Sequence, residues 1–325
     1  MQQKTFLCQE DDVRADHFLT KEYNTSRNQI TELIKKGFVS VNENVITKAG
    51  FKLFSGDVLH VKIVKEQEDD IQENTEINVD FDVPIVYEDD DILIINKPPH
   101  LTVHPAPSVK EATLVDWLKT KNISLSTLSG DERNGIVHRI DKETSGALVI
   151  AKNNEAHGFL SRQLEDKSMG RYYLAVVDYP LKNSVIVEKP ISRHSKNRLR
   201  MAVNEDGKEA KSAFCSLVRN EKIELLAAKL FTGRTHQIRV HLNSIGRHIL
   251  GDDLYGFKSQ KDTIKRVMLH AYCLYLTHPR SHEKMLFLAP LYDDFEELVY
   301  KNFDKETVDE AIKIDNIINN FSTFC

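Results

Sequence analysis

The chain has 325 residues, 41% of them hydrophobic and 29% charged, the balance of a soluble globular protein of about two domains at ~100–200 residues each. With 13 Gly and 9 Pro it is neither collagen-like nor low-complexity; no apolar run approaches the ~20 residues of a membrane span, and residues 1–10 lack the apolar core of a secretory signal. The net charge of −5 is unevenly spread: residues 66–91 hold twelve acids and no Lys or Arg, residues 292–310 hold eight acids and two Lys, and the remainder carries 42 basic against 29 acidic residues; the acidic runs read as solvated surface or, alternatively, as acid set apart from a polyanion-binding face.

Residues 14–64 read as a small unit. Ser26 is placed to cap a helix in which Ile30, Leu33 and Ile34 recur at helical spacing, and Lys35, Lys36 and Gly37 suit its C-terminal end. Phe38–Val41 and Val45–Thr47 flank the turn residues Asn42-Glu43-Asn44, and Val58–Val64 alternates like a strand. Residues 65–80 are acidic and poor in apolar residues, so they read as a linker. Beyond it, strands are expected at Ile92–Ile95, Ile136–Val137, Ala147–Ala151, Tyr172–Val177 and Ile223–Leu230, with helices at Thr113–Lys119 and Asn154–Glu165. The order lacks a regular βαβ rhythm, which predicts an α+β domain around a mixed, mostly antiparallel sheet. Residues 304–321 pattern as one amphipathic helix on Val308, Ile312, Ile317 and Ile318. Cys8, Cys215, Cys273 and Cys325 form no CxxC pair, which argues against a disulfide framework or structural zinc and for the reducing cytoplasm.

Within the first unit, Val13-Arg14-Ala15-Asp16-His17-Phe18-Leu19, Ser26-Arg27, Ile34-Lys35-Lys36-Gly37 and Ser55-Gly56-Asp57-Val58-Leu59 resemble the S-four-like RNA-binding domain, with Ala15 where Leu is usual. The resemblance implies that its helices bind structured RNA, through residues such as Arg14, Arg27, Lys35 and Lys36.

Three segments of the second unit carry chemistry. His138-Arg139-Ile140-Asp141, followed by Thr144-Ser145-Gly146, places Asp141 in a loop tethered at both ends by apolar strands, a way to present a carboxylate rigidly. A kinase reading of His-Arg-x-Asp fails, since neither a Gly-rich phosphate loop nor Asp-Phe-Gly is present. In Thr232-Gly233-Arg234-Thr235-His236-Gln237-Ile238-Arg239, Thr235 is placed to cap a helix that Gly246 ends, and Arg239 beside apolar positions requires an anionic partner. His236 and His241 stand five apart, off a common helix face, so a metal pair is not expected. In Arg171-Tyr172-Tyr173, alternation puts Tyr173 on one sheet face with Ala175 and Val177. Alone, Asp141 reads as a turn residue and Tyr173 as a core tyrosine.

Together these segments resemble the RluA family of pseudouridine synthases. Val103-His104-Pro105, Ile245 to Asp252 with Tyr255-Gly256, Leu269-His270-Ala271 and His278-Pro279 fit it in the family's order, while Ile140 and Arg171 stand where Leu and Lys are common. The preceding S-four-like unit points to the RluD-type branch, which modifies large-subunit ribosomal RNA. The resemblance implies that Asp141 is the catalytic acidic residue, that Arg239 pairs with it, that Tyr173 stacks on the target base and takes part in proton transfer, that Arg139 fills the place of a flipped nucleotide, and that Leu269 walls the pocket. It implies a small N-terminal S-four-like domain at 1–64, a linker at 65–80 and a synthase domain at 81–325. Isomerising uridine oxidises nothing and imports no group, so no cofactor and no metal are expected.

The expected partner is RNA: ribosomal RNA in large-subunit precursors, with transfer RNA as the alternative. No membrane is involved, and a monomer is expected. Residues 189–219 hold eight Lys or Arg against three acids, and the loop from His194 to Arg200, with Arg198 and Arg200, is placed to grip phosphates. Two rivals stay in view. A non-catalytic RNA-binding protein of this fold would have lost Asp141, Tyr173 or Arg239. A glycosidase would need a second acid in a comparably rigid motif, and none stands out.

Overall fold

Asn42 and Glu43 both take positive φ, 47° and 68°, and close a two-residue hairpin between the strands Val39–Val41 and Asn44–Val45. In the computed structural model, which describes residues 2–22, 27–63, 78–106, 109–121, 123–130, 133–257 and 263–322, this hairpin belongs to the first of two compact units, Met1–Glu76 and Ile77–Cys325. Its sheet runs in the order Gln2–Leu7, Val58–Ile63, Val39–Val41, Asn44–Val45, with antiparallel neighbours. The helices Ala15–Glu22 and Arg27–Lys35 close over it, and Phe18, Leu19, Ile30, Ile34, Val39, Leu53, Leu59 and Val61 form the core. Ser26, expected as a helix cap, the side chain of Arg27, residue 64 of the expected strand and residues 65–77 of the expected linker lie outside the described residues.

The second unit is built on a sheet of nine described strands. Their order is Val185–Glu188, Lys211–Arg219, Ile223–Leu230, Gly170–Asp178, Leu269–Thr277, Ser145–Ala151, Ile92–Lys97, Ile85–Glu88, with Lys284–Leu288 beside the second half of Leu269–Thr277. Only the join of His270 and Ala271 to Ser145 and Gly146 is parallel, so the sheet is mixed and mostly antiparallel, as expected. Ile92–Lys97 and Ser145–Ala151 are buried at every position because both faces are covered. Leu93, Ile95, Leu148 and Ile150 face one core with the helix Leu114–Thr120 and the C-terminal helices; Ile92, Ile94, Ala147 and Val149 face another with the helix Asn154–Glu165. No helix among the described residues is long and apolar enough to cross a membrane.

Two expected elements differ. Ile136–Val137 is no strand: Ile136 makes a single bridge to Ile150. Gly135, at φ 72°, turns the chain against Ile150 and Ala151, where a Cβ would meet side-chain and backbone atoms at 2.8–2.9 Å. The segment therefore leaves the sheet toward the loop that carries Asp141. The C-terminal stretch forms two helices, Lys305–Ala311 and Ile314–Ser322. Val308 and Ile312 are four apart, as are Ile317 and Phe321, but Ile312 and Ile317 are five apart. A continuous helix would carry the second pair off the buried face, and the break restores it.

Candidate active site

Asp141 stands in the loop before Ser145–Ala151, its side chain 19% exposed. Gly146, at φ 117°, fixes the loop's exit; a Cβ there would lie 2.3 Å from the Ala271 carbonyl oxygen, so only glycine lets the two backbones meet. Lys97, fully buried, donates from Nζ to the carbonyls of Pro98 (2.7 Å), Leu101 (2.9 Å) and Lys142 (3.1 Å), the last beside Asp141. A second brace runs in sequence. The His270 Nε2 faces the Ala289 carbonyl at 3.0 Å, so Nε2 carries the proton and Nδ1 accepts from Ser145 Oγ at 2.8 Å. Ser145 in turn accepts from Arg266 Nη1 at 3.0 Å, and Arg266 forks onto Asp294 at 2.5 and 2.8 Å.

The loop opens into a cavity of about 320 Å³ lined by Arg139, Asp141, Arg171, Tyr173, His236, Arg239 and Leu269, within the range of small-molecule sites. Arg239, 7% exposed, donates from Nη1 to Asp141 Oδ2 at 3.3 Å. Its tighter contacts are to Asp252: Nε to Oδ2 at 2.7 Å and Nη2 to Oδ1 at 2.9 Å. Asp252 Oδ1 also accepts from the backbone N–H of Leu254 and of Tyr255. Asp252 is therefore the orienting anion and Arg239 the link from it to Asp141. Thr235 does not cap the helix Gln237–Asn243. His236 occupies that position at φ 55° without a side-chain cap, and Gln237 Oε1 accepts instead from Arg234 N and Thr232 Oγ1. The left-handed turn, strained for a non-glycine residue, brings His236 Nε2 to 3.9 Å from Asp141 Oδ1. His236 Nδ1 lies 2.9 Å from the Tyr255 hydroxyl, which also accepts from Met201 N.

A family described as RNA pseudouridylate synthase matches residues 91–244, and one described as S4 domain matches residues 13–59. An RNA pseudouridine synthase of Helicobacter pylori is 45% identical over 328 residues, covering 98% of this chain and 99% of that protein. The chain belongs to the RNA pseudouridine synthase family. The ribosomal large subunit pseudouridine synthase D of Nitrosomonas europaea is 39% identical over 281 residues, covering 84% of this chain and 79% of that protein. The solved structure of human RNA pseudouridylate synthase domain containing 1 superposes with a TM-score of 0.54 at 26% identity, covering 65% of this chain and 84% of that one.

The synthase therefore brings Asp141, Tyr173, Arg239, Arg139 and Leu269 together around one cavity. Tyr173 is 4% exposed and Leu269 3%, while Arg139 is exposed. Burial pushes the Tyr173 phenol's pKa up, keeping its proton, and the neighbouring Arg171 guanidinium pulls it back down. Burial lowers His236 toward the neutral imidazole, against the attraction of Asp141. Asp252, His236 and Tyr255 are site residues that pattern reasoning passed over, although Gly251-Asp252 and Tyr255-Gly256 were visible as motifs. A lysine ending an apolar strand was the signal for Lys97.

The RNA-binding candidates are scattered. Arg14 is exposed and forks onto Asp16 at 2.9 and 3.1 Å; Lys35 pairs with Glu32 at 2.8 Å; Lys36 is exposed. The loop from His194 to Arg200 is the turn of a hairpin between Ile191–Arg193 and Met201–Val203. Arg198 is exposed on it, but Arg200 is half-buried, its guanidinium 5.1 Å from the Tyr255 ring centroid. Arg239 lies 5.0 Å from the same centroid, so the basic hairpin abuts the Asp141–Arg239–Asp252 cluster and is not a free loop.

Asp89, Asp91 and His278 bring possible ligand atoms within 4.8 Å of one another. The chain's own groups already engage them: His278 Nε2 lies 2.9 Å from Asp89, and Arg280 forks onto Asp91 at 2.6 and 2.8 Å.

The His270 brace has a consequence for pH. Burial lowers its pKa from 6.5 to about 4, so the folded chain holds His270 neutral where the unfolded chain would protonate it. The unfolded state then binds more protons between those values, and stability is complete above about pH 6.5 and lost as pH falls toward 4. The expected loss from this residue is on the order of 3 kcal/mol. Urea unfolding from pH 7.5 to 4.5 should show the decline, and His270→Gln should flatten part of it; an unchanged slope would show that His270 does not titrate with folding.

Proposed function

We propose that this synthase isomerises specific uridines of large-subunit ribosomal RNA in the cytoplasm, with Asp141 as the catalytic acidic residue. The observation that carries the reading is the carboxylate of Asp141 held 3.3 Å from the buried Arg239 at a cavity also lined by Tyr173. The target base is hidden in stacked RNA, so it must flip out, at a cost of roughly a few kcal/mol. Stacking on Tyr173 recovers part of that, and Arg139 at the mouth takes the vacated place in the stack. Asp141 then either adds to the sugar at C1′ or takes a proton from it. Relatives named as large-subunit enzymes and the S4 match support the ribosomal target; transfer RNA is the alternative. The intact trio disfavours a non-catalytic RNA-binding role. The second acid in the site does not favour a glycosidase, because Asp252 is occupied by Arg239 and two N–H groups.

Mapping pseudouridines in total RNA from cells with and without this gene tests the target. Loss of one or more large-subunit sites is expected. Loss confined to transfer RNA would move the substrate, and an unchanged map would sink the proposal.

The domain division gives a second expected result. Deleting residues 1–75 should leave a folded protein that still isomerises uridine in RNA at high concentration, because the candidate catalytic groups all follow residue 81. Its binding to ribosomal RNA should weaken, with a salt dependence shallower by about one unit per lost phosphate contact. A folded truncation inert at every RNA concentration would show that the first unit helps build the active site.

A further inference from the structure

Among the described residues of the second unit three arginines are buried: Arg171, Arg239 and Arg266. Arg239 has Asp252 and Asp141, and Arg266 has Asp294. Arg171 has no carboxylate partner among the described residues. It is 8% exposed, lines the same cavity as Asp141, and shares a strand face with Tyr173. Its Nη1 lies 2.9 Å from His138 Nδ1, the guanidinium also hydrogen-bonds the neutral Tyr173 phenol, and its Nε–H is buried without a partner. Burial and the adjacent guanidinium lower the His138 pKa well below its ordinary value, so this partner brings no negative charge. A desolvated cation without a counter-charge is costly to keep. Such local costs persist where function uses them.

We propose that Arg171 is a catalytic group whose guanidinium balances the negative charge that uracil carries while it is detached from the sugar. The inference rests on the reading that this cavity isomerises uridine. When the N1–C1′ bond breaks, its electron pair stays on N1 and spreads over O2 and O4 of the ring. The electron-poor C1′ is met by an Asp141 oxygen, or its sugar loses a proton to Asp141. The ring then turns and C5 bonds to C1′ with a ring electron pair, as the Asp141 oxygen leaves C1′ with its bonding pair or Asp141 returns the abstracted proton to the sugar; the C5 proton then leaves, and N1 gains one. Nothing is oxidised, and one proton is exchanged for another. Between the two bonds the ring is an anion, and it lies in a cavity where Arg171 is a buried cation with no carboxylate partner among the described residues. A preformed charge aimed at a group that becomes negative only during reaction stabilises the transition state more than the ground state. Arginine, a donor with no acceptor atoms, suits a delocalised anion with two oxygens.

The test uses the full-length protein with Arg171→Met and Arg171→Lys, and a large-subunit ribosomal RNA transcript made with uridine or with 5-fluorouridine. Fluorine at C5 stabilises the detached anion and lessens the need for the cation. Arg171→Met is expected to be at least as stable as wild type in thermal melts, since it removes an uncompensated buried charge. It should consume the target uridine about a hundredfold more slowly in single turnover, with a clearly smaller loss on 5-fluorouridine and RNA affinity unchanged. Arg171→Lys should keep most of the rate. Equal losses on the two RNAs, or an Arg171→Met protein that is destabilised or unfolded while Arg171→Lys folds, would make Arg171 a structural brace and overturn the proposal. Wild-type turnover of uridine in the same transcript is measured beside them. Its absence would count against the underlying reading of the cavity, separately from the ratio that judges Arg171.

Discussion

Asp141→Asn is expected to abolish isomerisation while leaving the fold and RNA binding intact. Asparagine matches the carboxylate in shape, and the side chain is 19% exposed with Arg239 Nη1 at 3.3 Å, so the amide oxygen still accepts from the guanidinium. What the variant loses is the negative charge and the oxygen able to add to C1′ or hold a proton. The loop does not depend on that charge. It is held by Lys97 at the Lys142 carbonyl, by the contact of Gly146 with Ala271, and by Arg266 through Ser145. A thermal melt close to wild type, unchanged binding of ribosomal RNA and no detectable pseudouridine in the target RNA are the expected set. Turnover within about tenfold of wild type, a barrier change of only ~1.4 kcal/mol, would remove Asp141 from the chemistry.

The sequence exposed the parts of this site that lie in short, chemically loaded stretches. Asp141 sits between apolar strands, Tyr173 follows from strand alternation, and Arg239 is a cation among apolar helix positions. The elements that hold them were legible for the same reason: Asn154–Glu165 and Ile223–Leu230 show clear periodicity, and the structure has them at those bounds. What stayed hidden depends on contacts between distant residues. Asp252 lies 111 residues after Asp141, and only the fold turns it toward Arg239. The chain from Ala289 through His270 and Ser145 to Arg266 and Asp294 crosses three segments. No local pattern marks Ser145 as the middle of it. The start of the helix Gln237–Asn243 was misplaced for a related reason. Thr235 has the right chemistry for a cap, but Gln237 reaches back to Arg234 N and Thr232, and reaches outward to Lys211 and Ser212. Tertiary contacts made the local cap unnecessary, and left His236 free to turn toward Asp141.

Arg239→Ala is expected to cost both stability and activity, and the structure separates the two. Stability depends mainly on Asp252, which is 1% exposed and receives two of the three Arg239 contacts, at 2.7 and 2.9 Å. Removing the guanidinium leaves a buried carboxylate with only the N–H groups of Leu254 and Tyr255, a loss on the order of 3–5 kcal/mol. Asp141, more exposed and joined through the longer contact, contributes less to that figure. Activity is expected to depend on the third contact, because Arg239 Nη1 donates to Asp141 Oδ2. Arg239→Met with Asp252→Asn should part the effects. The amide still accepts from the two N–H groups, no unpaired charge is buried, and the methionine refills part of the space. The double variant is therefore expected to regain much of the lost stability in urea unfolding and to remain inactive on the target RNA, with RNA binding retained. A double variant that is stable and turns over at the wild-type rate would show that Asp141 needs no orienting cation. A single Arg239→Ala variant as stable as wild type would show that Asp252 is not held by Arg239 in solution.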